Sequence, residues 1–190
     1  MIVIDNFLLP DHQEKIKNTL YGREFPWFFI NDVSMQGNSQ NRWAASHWFV
    51  SNGESRSNYR SLVEPLASLG AMQFGYPLNN VYNARTFLQY PLNPAVLGAG
   101  EIDKFHVDIP DTKHLVVLYY VNDSDGDTVI IDKKHSMPSA NSDNVKLEDY
   151  NIVERITPKQ GRAVLFDGWQ YHTAEQPQKN MRCVININII

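Results

Sequence analysis

The C-terminal run Arg182-Cys-Val-Ile-Asn-Ile-Asn-Ile-Ile190 restricts what this chain can become more than any other stretch. Strand side chains alternate with a period of two. Cys183, Ile185, Ile187 and Ile189 therefore share one face, and Arg182, Val184, Asn186 and Asn188 share the other. The first face needs an apolar layer to cover it, which the N-terminal helical segments supply. On the second face an arginine and two asparagines would be costly in an ordinary core unless each were paired. They suit a polar cavity, so this strand stands between a helical layer and the hollow of a barrel.

The rest of the chain is consistent with that arrangement. Short β-like runs are expected at Met1–Phe7, Val81–Tyr90, Lys104–Ile109, Leu115–Val121, Thr128–Ile131, Ile152–Ile156, Arg162–Phe166, Tyr171–Ala174 and Arg182–Ile190. Turn chemistry such as Asp123-Ser-Asp-Gly126 and Lys159-Gln-Gly161 separates several of them. Helices are expected from Pro10 to about Leu20, with Ile16 and Leu20 on one face, and from about Ser57 to Leu69, kinked or split at Pro65. Residues 21–52 read as a long loop interrupted by a strand at Ala44–Val50. The loops within 21–56 and Lys133–Asp149 are either lids over a substrate or surface connections. Strands this short and this evenly spaced give a mainly β, α+β architecture. It is a double-sheet jelly roll, or double-stranded β-helix, with the N-terminal helices packed on one sheet. With 190 residues and 43% hydrophobic content the chain is expected to form a single domain, 1–80 providing helical support and loops and 81–190 the jelly-roll core.

Charge and cysteine usage narrow the partners. The net charge of −4 supplies no basic field for a nucleic-acid backbone, so no nucleic-acid partner is expected. Cys183 is the only cysteine, so no intramolecular disulfide forms and the reducing cytosol is the expected compartment. The opening Met1-Ile-Val-Ile-Asp-Asn-Phe7 lacks a positive n-region followed by a long apolar stretch, and no signal peptide is expected. No run reaches the roughly 18 apolar residues of a membrane span, so no membrane partner is expected either.

The chemistry sits in His106-Val107-Asp108, in His172, and in Arg182 ten residues later. One carboxylate and two imidazoles brought to one face suit a divalent iron site that keeps coordination positions open. By strand parity His106 and Asp108 lie side by side. A His-X-Asp triplet alone is a weak motif, equally compatible with a half-buried histidine beside a strand-end aspartate. Its conjunction with His172 opening a strand and with an inward Arg182 is what favours a site. A guanidinium there offers a planar, always-charged fork for a carboxylate. His12, His47, His114 and His135 have no such setting and read as ordinary histidines.

Taken together, these segments resemble a known family. They are Tyr90-Pro-Leu-Asn, Phe105-His-Val-Asp108, Leu118-Tyr-Tyr-Val-Asn122, Asp125-Gly-Asp-Thr128, Gly161-Arg-Ala-Val-Leu-Phe166, His172-Thr-Ala-Glu-Gln-Pro177 and Arg182. The resemblance is to the iron(II)- and 2-oxoglutarate-dependent oxygenases, within them to the prolyl 4-hydroxylase-like branch, and it covers about Val81 to Ile190. It implies that His106, Asp108 and His172 bind Fe(II), and that Arg182 pairs with the distal carboxylate of 2-oxoglutarate. Tyr120 and Tyr90 would line the co-substrate pocket; their alternative reading is aromatic core filler. It further implies O2 as co-substrate, succinate and CO2 as products, and ascorbate as reductant. Asp108 favours hydroxylation over the halogenating variants, which replace that ligand.

The prime substrate implied by the branch is a peptidyl proline in a protein or peptide, with a free amino acid or small metabolite as the alternative. Nucleic-acid dealkylases of the same superfamily usually carry a second arginine six residues after the first, where this chain has Asn188. Trp169 and Arg85 are the candidate entrance residues, to be weighed against a buried aromatic plug and a solvated strand residue. A non-catalytic metal-binding jelly roll would explain the triad but gives no reason for Arg182 to face inward.

Overall fold

The computed structural model describes all residues except 32, 34–41, 79, 94, 96–101 and 137–144. The two segments read as lids or surface connections, 21–56 and 133–149, each contain residues outside the described set.

In chain order the elements are β1 (Ile2–Ile4), α1 (Pro10–Leu20), β2 (Phe28–Ile30), β3 (Ala44–Ser51), β4 (Glu54–Ser55) and α2 (Glu64–Phe74). There follow β5 (Val81–Gln89), β6 (Leu115–Tyr120), β7 (Thr128–Lys134), β8 (Ile152–Ile156), β9 (Ala163–Asp167), β10 (Gln170–Ala174) and β11 (Arg182–Ile189). Among the described residues the strands form an antiparallel major sheet in the order β1-β9-β6-β11-β5-β3-β2, with β4 on β3, and a minor sheet in the order β10-β7-β8. This is the expected jelly roll, a double-stranded β-helix. No helix among the described residues is long and apolar enough to cross a membrane.

β11 is paired on both edges, with Val184 opposite Phe87 of β5 and Tyr120 of β6. Its Cys183, Ile185, Ile187 and Ile189 pack with Ile16 and Leu20 of α1 and Leu66, Ala67 and Ala71 of α2. Burying each such isoleucine contributes about 1.5–3 kcal/mol. Val184 faces the other way, into a cluster with Val116, Leu118, Tyr120, Ile130, Val164 and Phe166 between the two sheets. β6 is covered on both faces, which is why it reads Leu-Val-Val-Leu-Tyr-Tyr without a polar position.

Some expected elements differ. The first strand is cut to Ile2–Ile4 because Asn6 turns the chain with a positive φ of 52°. The second helix begins at Glu64 after a 3-10 turn at Arg60–Leu62. Pro65 sits in the helix's first turn, where a missing N–H leaves nothing unpaired, so it starts the helix and does not kink it. The expected strand at Lys104–Ile109 does not form. Its ladder contact is a single bridge between His106 and His172, made by reciprocal N–H to O bonds of 3.0 and 3.1 Å. β2 and β4 were not expected; they are too short for any period to show.

Gly70 sets how closely α2 lies on β6. A Cβ there would stand 2.4 Å from Val117 Cγ2, and Val117 is fully buried with a stiff, branched side chain. Gly70→Ala should therefore destabilise the protein by roughly 1–3 kcal/mol, although alanine in an unobstructed helix would add about 1 kcal/mol. Urea denaturation checks the sign.

Candidate active site

Three of the predicted side chains converge. His106, Asp108 and His172 each offer a ligand atom, all within 4.8 Å of one another. His106 Nε2 lies 3.8 Å from Asp108 Oδ1, and the two imidazole centroids are 4.7 Å apart. His106 is brought to His172 by the backbone bridge and not by strand parity, since its segment is irregular.

The surroundings fix which atom each residue presents. His106 Nδ1 is 3.0 Å from the Lys104 carbonyl, and His172 Nδ1 is 3.0 Å from the Gln170 carbonyl. Each Nδ1 carries the donated proton, leaving the Nε2 lone pairs for an ion. Asp108 Oδ2 accepts from Asn186 Nδ2 at 3.0 Å and Asn188 Nδ2 at 2.8 Å. Its Oδ1 is buried without a hydrogen-bond partner. A buried carboxylate oxygen left unpaired beside two imidazole lone pairs is destabilising unless a cation takes it up. The set of one oxygen and two nitrogens suits a divalent transition metal, so the residues present fit iron.

Electrostatics support the same protonation states. Burial alone would raise the Asp108 carboxyl, but the neighbouring His172, Arg85 and His106 and the Asn186 hydrogen bond hold it well below the usual carboxylate range. Burial, reinforced by His106, lowers His172 to about 4 despite Asp108. At neutral pH the site is a carboxylate with His172 neutral, the forms that bind metal.

His106, His172 and Arg182 all line one cavity of about 300 Å³. Arg182 is buried within it, where Nε donates to Gly126 O, Nη1 to Gln89 Oε1 and Nη2 to Thr128 Oγ1, each at 2.9 Å. Among the described residues no carboxylate is within ion-pair distance of it. A Cβ on residue 126 would crowd Arg182 Cδ at 3.0 Å and Glu175 O at 2.7 Å, so glycine is required for the guanidinium to lie there. The Tyr120 hydroxyl donates to Thr128 Oγ1 at 2.7 Å, which leaves the Thr128 proton free to donate elsewhere. Tyr120 thus stands one residue behind the cavity wall, its ring centroid 5.9 Å from the Arg182 guanidinium carbon.

Other candidates are not gathered in. Tyr90 is 40% exposed and does not line the cavity. Trp169 lies outside it too, bonded through Nε1 to Thr112 O at 3.2 Å with Lys113 over its ring. His47 bridges Pro26 O and Ser57 Oγ as an ordinary core histidine. Arg85, by contrast, lines the cavity and lies 3.6 Å from Asp108 Oδ1. The sequence reading had it as an entrance residue or a solvated strand position; its parity with Phe87 and Gln89 on β5 is the signal that places it inside. The buried Arg42–Asp103 pair, 2.5 Å apart, was also missed. Asp103 Oδ2 accepts from Gln89 Nε2 at 3.4 Å, so this pair backs the residue that holds Arg182.

The sequence profile described as the 2OG-Fe(II) oxygenase superfamily matches residues 90–190. No curated protein sequence matches the chain. Among solved structures it is similar to a Trichoplax adhaerens prolyl hydroxylase in complex with a hypoxia inducible factor peptide fragment. The identity is 18% and the TM-score 0.59, over 100% of this chain and 82% of that one. A Pseudomonas putida prolyl-4-hydroxylase gives 14% identity and a TM-score of 0.59, over 99% of this chain and 90% of the other. The alpha-ketoglutarate-dependent carbocyclase SnoK of nogalamycin biosynthesis gives 14% and 0.65, over 98% and 78%. At these identities the likeness is one of fold.

His172 makes a stability prediction. Its side chain titrates near 6.5 when free and at about 4 when folded, so between these values the unfolded chain takes up a proton that the folded chain refuses. The metal-free protein should keep its full stability above the higher value. It should lose about 1.4 kcal/mol per pH unit through His172 as the pH falls towards the lower one. Urea midpoints measured across this window should fall less steeply in His172→Gln than in the parent.

Proposed function

The chain belongs to the 2OG-Fe(II) oxygenase superfamily, and from that membership we propose that it is a 2-oxoglutarate-dependent dioxygenase whose own residues His106, Asp108 and His172 hold Fe(II). Arg182 anchors the distal carboxylate of 2-oxoglutarate. The observation that carries this reading is the pairing, around one cavity, of a carboxylate oxygen without a hydrogen bond beside two imidazoles with a buried guanidinium that has no counter-ion among the described residues. The bound iron would supply the O2 chemistry that turns 2-oxoglutarate into succinate and CO2 and hydroxylates the prime substrate.

Within that reaction the chain binds, orients and excludes water. The three neutral acceptors on Arg182 leave two of its five N–H groups for a carboxylate. The free Thr128 proton adds a third donor, and Tyr120 positions Thr128. Asn186 and Asn188 hold Asp108 Oδ2 so that Oδ1 is turned to the imidazoles. Val116, Leu118, Phe166 and Val184 form an apolar wall that keeps bulk water from the space between. Tyr90 has no part in the pocket on this reading.

A peptidyl proline is the prime substrate we propose, on the ground that two structural neighbours are prolyl hydroxylases, one of them in complex with a peptide. Ascorbate is the proposed reductant. We further propose that the chain works as one domain, since β2 and β3 from its first 80 residues complete the sheet that lines the cavity. A purely structural metal site would not need Arg182 buried with only neutral partners among the described residues.

Succinate formation from 2-oxoglutarate with Fe(II) and ascorbate, with and without proline peptides, tests the reaction; tight zinc retention without turnover would favour the non-catalytic alternative. Asp108→Ala should abolish iron uptake, read by metal analysis of reconstituted protein. Arg182→Ala should retain iron and bind 2-oxoglutarate about ten- to a hundredfold more weakly, by the loss of charge-assisted bonds of roughly 1.5–3 kcal/mol. Unchanged 2-oxoglutarate affinity in a calorimetric titration of that variant would remove the anchoring role.

A further inference from the structure

We propose that Arg85 binds a carboxylate of the prime substrate, so that this enzyme acts on a molecule carrying an anionic group within reach of the oxidised carbon. The inference rests on the oxygenase reading above and adds the chemical class of its substrate.

Two guanidiniums line the cavity, and they are held in opposite ways. Arg182 is locked by three hydrogen bonds. The Arg85 side chain makes no hydrogen bond among the described residues. Its guanidinium carbon lies 5.1 Å from the Trp48 ring centroid and 4.7 Å from that of Phe87, and its Nη2 is 3.6 Å from Asp108 Oδ1, beyond hydrogen-bonding reach. Aromatic faces hold the plane of a guanidinium while leaving its N–H edge unsatisfied. Its five donors therefore remain available to a ligand.

The positions separate the two arginines by role. Arg182 pairs in register with Gln89, and Asn186 with Arg85, so Arg85 stands at the Asp108 end of β5. At the strand rise, Arg85 and Gln89 are roughly 13 Å apart along the backbone. A dicarboxylate held by Arg182 reaches towards the triad from one side. Arg85 stands beside the triad itself, at Asp108, and on this proposal that is where the prime substrate is held.

Charge points the same way. Arg42 and Asp103 pair with each other, which among the described residues leaves Arg85, Arg182, Lys104 and Asp108 as the charged side chains around the cavity and triad. Asp108, as a ligand to a ferrous ion, would no longer neutralise Arg85, and Arg182 together with that ion would match the 2-oxoglutarate dianion. Among the described residues Arg85 and Lys104 would then remain without counter-charge in a space with apolar walls, and a substrate carboxylate would supply it. The carboxylate can come from the α-carboxyl of an amino acid or from an acidic residue in a peptide.

Calorimetric titration of the anaerobic Fe(II)- and 2-oxoglutarate-loaded enzyme separates these sources without turnover. One probe pair is N-acetyl-L-proline and N-acetyl-L-prolinamide; the other is acetyl-Pro-Glu-amide and acetyl-Pro-Gln-amide. In at least one pair the carboxylate should bind roughly tenfold or more tightly than its neutral partner, as expected of a charge-assisted pair. That preference should vanish in Arg85→Gln and be partly kept in Arg85→Lys. A preference in the first pair identifies the α-carboxyl, and one in the second the acidic side chain. Equal affinities within both pairs for the parent enzyme, or a preference that survives Arg85→Gln, would overturn the assignment. Failure of 2-oxoglutarate itself to bind would instead overturn the oxygenase reading.

Discussion

Everything functional in this molecule depends on one strand being buried on both faces. β11 has no exposed residue, so its alternation cannot be relieved by solvent and must be answered by two different layers. Its isoleucines are answered by the two helices, whose packing fixes the strand against slippage. A shift of one residue would carry Arg182, Asn186 and Asn188 into that helical core and the isoleucines into the cavity. The register that stabilises the fold is therefore the same register that places Arg182, the proposed co-substrate anchor, and the two amides gripping Asp108.

The site manages its buried charge by spacing neutral dipoles between ions. Asp108 is held by two carboxamides, Arg182 by a carboxamide, a hydroxyl and a carbonyl. Had a carboxylate been placed on Arg182, the guanidinium would already be neutralised, and binding an anionic ligand would first require breaking that pair. Neutral acceptors orient the fork without cancelling its charge. The same reasoning separates Arg42, which is paired with Asp103 and serves as support, from Arg182, which is oriented but electrically open.

What could be read from the sequence is what has a period. The two-residue alternation of 182–189 identified the inward arginine and asparagines, and strand spacing gave the jelly roll. It did not give the 104–109 segment, where three demands compete: Phe105 fills a core beside the minor sheet, His106 bridges to His172, and Asp108 turns to meet Asn186 and Asn188. A chain satisfying three layers within four residues cannot stay regular, and this irregularity brings the ligands together. Pro65 was misread because helix-starting and helix-breaking prolines look alike until the helix's first residue is known. Asn188, noted in the sequence only as the place where a second arginine was missing, turned out to hold Asp108.

Arg85 was the hardest of these to read, because nothing local distinguishes a solvated strand arginine from one turned inward. The distinction is made by Trp48 on β3 and Phe87 on its own strand, which flank the guanidinium and cover its faces while leaving its edge open. A fully solvated arginine gains little from such packing, whereas one that must wait in a partly dry cavity for an anion needs its faces covered and its donors free. The contrast with Arg182 is thus a contrast in rigidity. On the proposed reading, a co-substrate common to every turnover would be met by a fork fixed in three directions, and the variable partner by a fork free to adjust within an aromatic slot. On this chain, discrimination between substrates would then rest on the loosely held arginine beside the triad more than on the locked one behind it.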